Sequence, residues 1–265
     1  MKWSFSKLCT YAECPLAFYL SYLQDPPLPQ DGNAWSDFGN LCHHLLESYA
    51  LGELSLFDLA AEYTARYDDE IVHNYPPILK GYADKAYAEG LKYFEEFEGF
   101  NEEKNEIVSA EERFEIGVGP YRLVGISDLV LRNKETGGLI VVDHKTKSPS
   151  SMKHDYSLYR NQLYLYAEHV KTKYGAYPET LIFNMIKDPT ASIREEFDPV
   201  QMGATLRWTE EQIDRVYLEE DWRATRAEEI LSGKSDFYCR HICPVFQYCE
   251  EAQTAIQHVQ ARRRK

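Results

Sequence analysis

Two strand-like runs flank a polar, glycine-bearing turn in the stretch from Gly125 to Lys147, GISDLVLRNKETGGLIVVDHKTK. The pattern predicts a β-hairpin. Asp128 lies in the first run, and the second run, LIVV, is followed at once by Asp143, His144 and Lys145. Because residues two apart in a strand project from the same face, Asp143 and Lys145 are expected to point into one site while His144 points away.

Converging carboxylates can hold a divalent cation, and a neighbouring lysine can neutralise an oxyanion. These are the requirements of metal-assisted phosphodiester cleavage. Oxygen ligands suit Mg²⁺ or Mn²⁺ better than zinc. An Asp-x-Lys triplet alone arises about once by chance in a chain of average composition and this size. Its position after a buried-looking strand, one run after Asp128, gives it weight.

Length and composition set the class of protein. A chain of 265 residues, 44% hydrophobic and 27% charged, is expected to form one soluble α/β domain with an appended helical part. No run of eighteen apolar residues occurs, and no signal-type core follows the first residues, which predicts a cytoplasmic location. Because the formal net charge is −14, any contact with DNA requires a local basic lane, which is expected to include Lys145, Lys147, Lys153 and Arg160.

Periodicity and turn residues predict the remaining elements. Serines 4 and 6 cap a short helix, and Pro15 starts another. Apolar spacing predicts further helices over 35–51, 56–72, 78–97, 157–174 and 209–231. Strands are expected over 106–118, 121–131, 181–187 and 193–197, the last two as an edge pair. We interpret 1–265 as a single domain with a helical part (35–100), a catalytic core (about 105–200) and a C-terminal helix and cysteine segment (201–252).

Four polar residues outside the hairpin are candidates only in its company. His43 follows Gly39 by four residues on a predicted helix, where a lone histidine is more often structural than a ligand. Gln162 and Tyr166 share a helical face, which is equally typical of an ordinary helix surface. Glu111 lies on a predicted strand near the carboxylate pair.

Three of the six cysteines lie close together near the end of the chain: Cys239, Cys243 and Cys249. In a reducing compartment such clustered thiols favour metal or cluster ligation over disulfides. With His241 they could instead form a zinc site. Cys9 and Cys42 lie on apolar faces and are expected to be buried structural thiols. The basic tail over 261–265 is expected to be a solvated end.

The motifs occur in an order that resembles a known family: Ser-x-Ser before Cys14-Pro15, Gly39-x-x-x-His43, Gly125-x-x-Asp128, Asp143-x-Lys145-Thr146, Gln162-x-x-x-Tyr166 and the three cysteines. The chain resembles the RecB-type branch of the PD-(D/E)xK nuclease superfamily over residues 4–250. Its iron–sulfur members, which include AddB-type nuclease domains and the exonucleases of CRISPR adaptation, are the most similar. The resemblance implies a restriction-endonuclease-like core, with a central mixed sheet flanked by helices.

The resemblance also implies roles for individual residues. His43, Asp128, Asp143 and the main-chain carbonyl of His144 would be ligands of Mg²⁺ or Mn²⁺, and Lys145 would orient water and stabilise the transition state. Further along the chain, Gln162 and Tyr166 would line the DNA path, and Glu111 matches an acidic position of the family less securely.

The cysteine motif implies a second cofactor. Cys14 and the three late cysteines would hold a 4Fe-4S cluster that joins the N- and C-terminal helical segments. Three residues, not the expected two, separate Cys239 from Cys243. Zn²⁺ therefore remains the alternative cofactor at this position.

The implied activity is metal-dependent exonuclease action on DNA, on single strands or ends, with a possible protein partner in recombination, repair or CRISPR-type processing. The alternatives are a non-catalytic nuclease-fold subunit that binds DNA or a partner protein, and a restriction-type endonuclease. The intact set of Asp128, Asp143 and Lys145 speaks against the first alternative. For the second, the sequence shows no separate recognition domain.

Overall fold

The computed structural model describes residues 1–26 and 28–263. The chain divides into two compact units, with boundaries between Asn33 and Ala34 and between Arg207 and Trp208. The sheet unit comprises Ala34–Arg207 together with Lys2, and the helical unit comprises Met1, Trp3–Asn33 and the chain from Trp208 onward. Of the expected basic tail, Arg264 and Lys265 lie outside the described residues. None of the helices described is both long and apolar enough to cross a membrane.

The helices of the described chain are α1 (Phe5–Glu13), α2 (Pro15–Tyr22), α3 (Ala34–Ala50), α4 (Leu59–Glu70), α5 (Tyr82–Glu96), α6 (Pro149–Tyr174), α7 (Pro199–Leu218), α8 (Thr225–Leu231), α9 (Phe237–His241) and α10 (Glu250–Arg263). Single 3₁₀ turns occur at Pro189–Ala191 and Phe246–Tyr248. The strands are β1 (Asn105–Val118), β2 (Tyr121–Asn133), β3 (Leu139–Lys145), β4 (Thr180–Met185) and β5 (Ile193–Glu196).

The five strands form one mixed sheet in the order β1-β2-β3-β4-β5. Neighbouring strands are antiparallel except β3 and β4, which are parallel. A parallel pair needs a long crossover, and α6 supplies it. The α/β class and the mixed sheet flanked by helices are thereby confirmed. The expected edge pair is half right, because β5 is an edge strand whereas β4 lies between β3 and β5.

Strand β3 is the most buried strand of the sheet. Every residue from Leu139 to His144 is buried, as expected for a strand covered on both faces. One face packs in a cluster of Leu129, Leu131, Ile140 and Val142. The register pairs Leu129 with Val142 at one end of the β2–β3 ladder. Asp128, which precedes Leu129, and Asp143, which follows Val142, therefore lie next to each other beyond the last pair.

Helix α6 begins eight residues earlier than expected. We expected a loop up to residue 156, but the helix starts at Pro149. Ser148 is its N-cap, with Oγ accepting a hydrogen bond from the Ser151 amide at 3.2 Å. Proline at the first helical position lacks only an N–H that would have no helical partner there. Ser148 and Pro149, which we interpreted as loop residues, therefore start the helix.

Ser4 and Pro15 start the first two helices as expected. Ser4 caps α1 by accepting a hydrogen bond from the Lys7 amide at 3.3 Å, and Pro15 opens α2. The capping role expected of Ser6 is wrong, because Ser6 lies inside α1. An aromatic cluster lies in the helical unit, where Trp3 and Trp222 both stack on Phe18. The N- and C-terminal segments of the chain therefore share a core in this unit.

The single helix expected over 209–231 is wrong. Two helices, α7 and α8, are separated by residues 219–224. Within this break the Trp222 ring packs on Phe18, with centroids 6.2 Å apart. The carbonyl of Arg223 accepts a hydrogen bond from the Leu16 amide at 3.1 Å. These contacts with α2 outweigh the local preference for a continuous helix.

Candidate active site

Strand β3 places Asp143 and Lys145 together. Lys145 Nζ lies 2.6 Å from Asp143 Oδ2, as the two-residue period of a strand predicts. The His144 side chain points elsewhere, with Nδ1 3.0 Å from Asn184 Nδ2 and its ring stacked on Phe100. Its amide donates to Asp128 Oδ2 at 2.8 Å. The main chain of β3 thus fixes the carboxylate of Asp128.

A close approach of α3 to the end of β3 adds a histidine. A Cβ on Gly39 would lie 3.4 Å from Thr146 Oγ1, at the start of the range of ordinary van der Waals contact. The helix and the strand end are therefore close neighbours at this point. His43 follows one helical turn later and reaches the carboxylates.

The His43 ring lies between two acceptor groups. Its Nδ1 is 3.0 Å from Glu111 Oε1 and 3.6 Å from Asp128 Oδ2, and its Nε2 is 3.1 Å from the carbonyl oxygen of His144. Burial alone would lower the pKa of His43. The carboxylates of Asp128 and Glu111 outweigh burial and raise it to about 9. As an imidazolium the ring donates from both nitrogens.

Glu111 is the acidic residue whose role the sequence left open. Its neighbours Ala110 and Glu112 pair with Leu129 and Ser127, so Glu111 lies opposite Asp128. Its φ of 43° is in the left-handed region, which is unfavourable for residues other than glycine. Such a conformation persists only where surrounding contacts impose it, and here it aims the carboxylate at His43.

The candidate ligand atoms form one compact group. His43, Glu111 and Asp128 each offer an atom, and these atoms lie within 4.8 Å of one another. Among residues 1–26 and 28–263, no other set of three or more His, Cys, Asp or Glu side chains does so. The group has the size of a site for a single metal ion.

Asp143 is the least satisfied polar group in this region. Its side chain is fully buried, and apart from the ion pair with Lys145 neither carboxylate oxygen receives a hydrogen bond from the described residues. A buried carboxylate without donors is costly. Burial and the neighbouring charge of Asp143 also raise the pKa of Asp128 to about 7. The excess negative charge calls for a cation.

Helix α6 contributes a short chain of hydrogen bonds. Lys145 Nζ donates to Gln162 Oε1 at 2.8 Å, and Gln162 Nε2 donates to Tyr166 Oη at 2.8 Å. Tyr166 is buried, and burial followed by the charges of Asp128 and Asp143 raises its pKa well above the ordinary value. The pair therefore lies in contact with Lys145 and not on an exposed helix surface.

Phe114 packs against the site residue Tyr166, and the sequence analysis did not identify it. The Phe114 ring makes an edge contact with Tyr166 and stacks on His169. A Cβ on Gly125 would meet Phe114 Cζ at 2.5 Å. The alternation of Phe114, Ile116 and Val118 along β1 was the available signal.

The four expected cluster cysteines lie together in the helical unit. Cys14, Cys239, Cys243 and Cys249 line one pocket whose other lining residues are mainly apolar. All four are free thiols. Burial raises the pKa of Cys239 to about 12 and that of Cys249 to about 11. The remaining cysteines lie elsewhere, Cys9 half-buried and Cys42 fully buried in the core of the sheet unit.

The spacing of these thiols bears on the choice between zinc and a cluster. Sulfur ligands about 2.3 Å from one zinc ion would lie about 3.8 Å from one another. In the described chain, no three ligand atoms of Cys14, Cys239, His241, Cys243 and Cys249 lie within 4.8 Å of one another. The pocket also holds Arg226, whose buried Nε has no hydrogen-bond partner among the described residues. The other two guanidinium nitrogens of Arg226 pair with the carboxylates of Glu13 and Glu229.

Comparison with known proteins agrees with this geometry. A family model described as the PD-(D/E)XK nuclease superfamily matches residues 2–250. The chain belongs to this superfamily, whose name indicates a nuclease and a nucleic-acid substrate.

Two further comparisons add no functional argument. A solved structure titled "Crystal structure of SSO0001" is 17% identical and aligns over 92% of this chain and 96% of that chain, with a TM-score of 0.32. A score this low carries no argument. No curated protein matches the chain.

Proposed function

We propose that the chain is a metal-dependent deoxyribonuclease of the RecB-like branch, and that it acts as an exonuclease on single strands or ends. The observation that carries the proposal is Asp143, a fully buried carboxylate with the Lys145 ammonium 2.6 Å away. It lies beside the group of His43, Glu111 and Asp128. Three carboxylates this close together and this buried would destabilise a core that had only a structural role.

The residues present fit a divalent ion. His43, Asp128, Asp143 and the carbonyl of His144 would hold it, and Glu111 faces the same group. Carboxylate and carbonyl oxygens with one imidazole suit Mg²⁺ or Mn²⁺. When bound, the ion supplies polarisation of the phosphate and activation of the attacking water.

Lys145 carries the principal cationic role of the protein itself. Its ammonium lies at the edge of the carboxylate group, held by Asp143 and Gln162. From there it would neutralise charge that develops on the phosphate oxygens, and it would orient water. Gln162 and Tyr166 fix its position from α6, along the path that we assign to DNA.

The test is incubation of purified protein with end-labelled single- and double-stranded DNA, with and without Mg²⁺ or Mn²⁺. An exonuclease shortens labelled linear strands and leaves circular single-stranded DNA intact, whereas an endonuclease cuts the circle. Comparison of 3′- and 5′-labels gives polarity. If DNA binds but is not cut with either metal, the chain is the non-catalytic subunit.

Two isosteric variants test the site. Asp143→Asn and Lys145→Met should lower the cleavage rate by more than about a hundredfold, because each removes charge that acts on the transition state. Asp69→Asn, at an exposed position of α4, is the matched control and should cleave normally. Normal cleavage by Asp143→Asn would overturn the assignment.

We further propose a 4Fe-4S cluster on Cys14, Cys239, Cys243 and Cys249. Support comes from the pocket that the four thiols line together. Four thiolates are a usual ligand set for such a cluster. A cluster there would tie the start of α2 to the segment around α9, both within the helical unit.

A further inference from the structure

Two lysines at the end of β3 share one aromatic ring. The ammonium of Lys145 lies 4.9 Å from the centroid of the Tyr159 ring, and that of Lys147 lies 4.4 Å from the same centroid. At these distances the ring attracts both cations through its quadrupole.

Tyr159 belongs to the α6 face that carries the site. It precedes Gln162 by three residues and Tyr166 by seven, which places the three side chains on one side of the helix. Neither Tyr159 nor Lys147 has a role in the proposed reaction so far. Together with Gln162, however, Tyr159 surrounds the ammonium of Lys145.

The Tyr159 ring competes with the carboxylates for the Lys145 ammonium. A lysine stem is flexible, and the Lys145 ammonium is already 2.6 Å from Asp143 Oδ2. Without a competing attraction it could settle between the carboxylates and neutralise them. The rings of Tyr159 and Phe183, with centroids 4.9 Å and 5.7 Å from Lys145 Nζ, supply this competing attraction. Lys147 in turn has one carboxylate partner on α6, Asp155 at 2.7 Å.

We propose that Tyr159 is a positioning residue that holds Lys145 and Lys147 as a pair of cations for neighbouring phosphates of one nucleic-acid strand. Lys145 faces the scissile phosphate, and Lys147 contacts the next phosphate along the strand. The Asp155 pairing of Lys147 is partly exposed and therefore easily exchanged for a phosphate. This inference rests on the proposed nuclease function and adds to it a backbone-binding cation.

The kinetic test separates the ring from the hydroxyl. Tyr159→Phe keeps the ring and should keep kcat within about twofold. Tyr159→Leu should lose about tenfold in kcat, the size expected for a partly desolvated cation–ring contact. Tyr174→Leu is the control, because Lys173 lies 4.9 Å over that ring on the same helix. Equal losses in Tyr159→Phe and Tyr159→Leu, or no loss in Tyr159→Leu, would overturn the proposal.

A binding test needs no activity. In EDTA, the affinity for a labelled single-stranded oligonucleotide is measured by anisotropy across a salt series. Each lost phosphate contact lowers the slope of log affinity against log salt by about 0.7. Lys147→Gln should show this loss and Tyr159→Leu at least this loss, and the double variant should lose no more than Tyr159→Leu alone. A wild-type slope for Lys147→Gln rules out its phosphate contact, even if Tyr159→Leu fails to fold.

The two proposals fail in different ways. Absence of cleavage by the wild type, with the slope changes intact, overturns the nuclease activity and supports Tyr159 as an organiser of strand binding. Normal cleavage with unchanged slopes overturns the role of Tyr159 alone.

Discussion

Phe114 occupies the space that a side chain at Gly125 would need: a Cβ there would come within 2.5 Å of Phe114 Cζ. The phenylalanine in turn packs against Tyr166 with centroids 5.7 Å apart. The glycine of the Gly-x-x-Asp motif therefore supports the site through a ring that itself carries no reactive group.

Gly125→Ala is expected to destabilise the protein by about 1 to 3 kcal/mol, because Phe114 must shift in a packed environment. Cleavage should fall with it as Tyr166 loses its support. Gly117→Ala on the same hairpin is the control, since a Cβ there meets nothing within 4 Å. Chemical denaturation measures both. If Phe114→Leu does not relieve the cost of Gly125→Ala in the double variant, the proposed clash is wrong.

Metal affinity should fall as pH falls. The metal-free protein keeps a proton on His43 up to a pKa of about 9 and on Asp128 up to about 7, and a metal must displace both. Stabilisation from protonated His43 is lost as pH rises through 9. The folded state keeps the proton of Asp128 up to a pKa of about 7. The free energy of unfolding therefore falls as pH rises from the ordinary carboxyl range to about 7, and it stays lower above that pH.

The metal-free melting temperature should therefore decline from pH 5.5 to pH 8.5, and Mn²⁺ should raise it more at pH 8.5. Differential scanning fluorimetry of the wild type and of His43→Gln measures this. The variant should show a smaller pH dependence. Equal Mn²⁺ shifts at the two pH values in the wild type would contradict the linkage.

Protein purified without oxygen should be brown and contain iron and acid-labile sulfide. Cys14→Ser should bleach it and lower its melting temperature, whereas Cys9→Ser should keep the colour, because Cys9 does not line the pocket. Metal analysis and visible absorption give the result. Zinc without iron, or full iron content in Cys14→Ser, would exclude the four-cysteine cluster.

Arg160 should contribute to stability and not to DNA binding. It was expected in a basic lane, but its Nε lies 2.9 Å from Glu195 Oε2, and its Nη1 donates to Gln201 at 2.9 Å. Arg160→Met should lower the melting temperature and leave the salt slope unchanged. Lys153→Met, at an exposed position of the same helix, should lower the salt slope and leave the melting temperature unchanged. A lower slope for Arg160→Met would return it to the lane.

The sequence predicted best where a short period decides the outcome. Asp143 and Lys145 share a strand face whatever surrounds them, so their contact was predictable. The break after Leu218 was not, since it depends on Trp222 packing against a helix some two hundred residues away in sequence. Tyr159 was missed for a related reason. Its two lysines come from a strand end whose direction toward α6 only the fold defines.

The left-handed backbone at Glu111 is expected to affect the laboratory evolution of this protein, because it couples stability to activity. Glycine at this position would relieve a strain of about 1 kcal/mol, so selection for heat resistance alone would favour its loss. Selection for catalysis would oppose it, because the same backbone directs the carboxylate toward His43. Position 111 is thus where thermostability and activity are expected to trade against each other most directly.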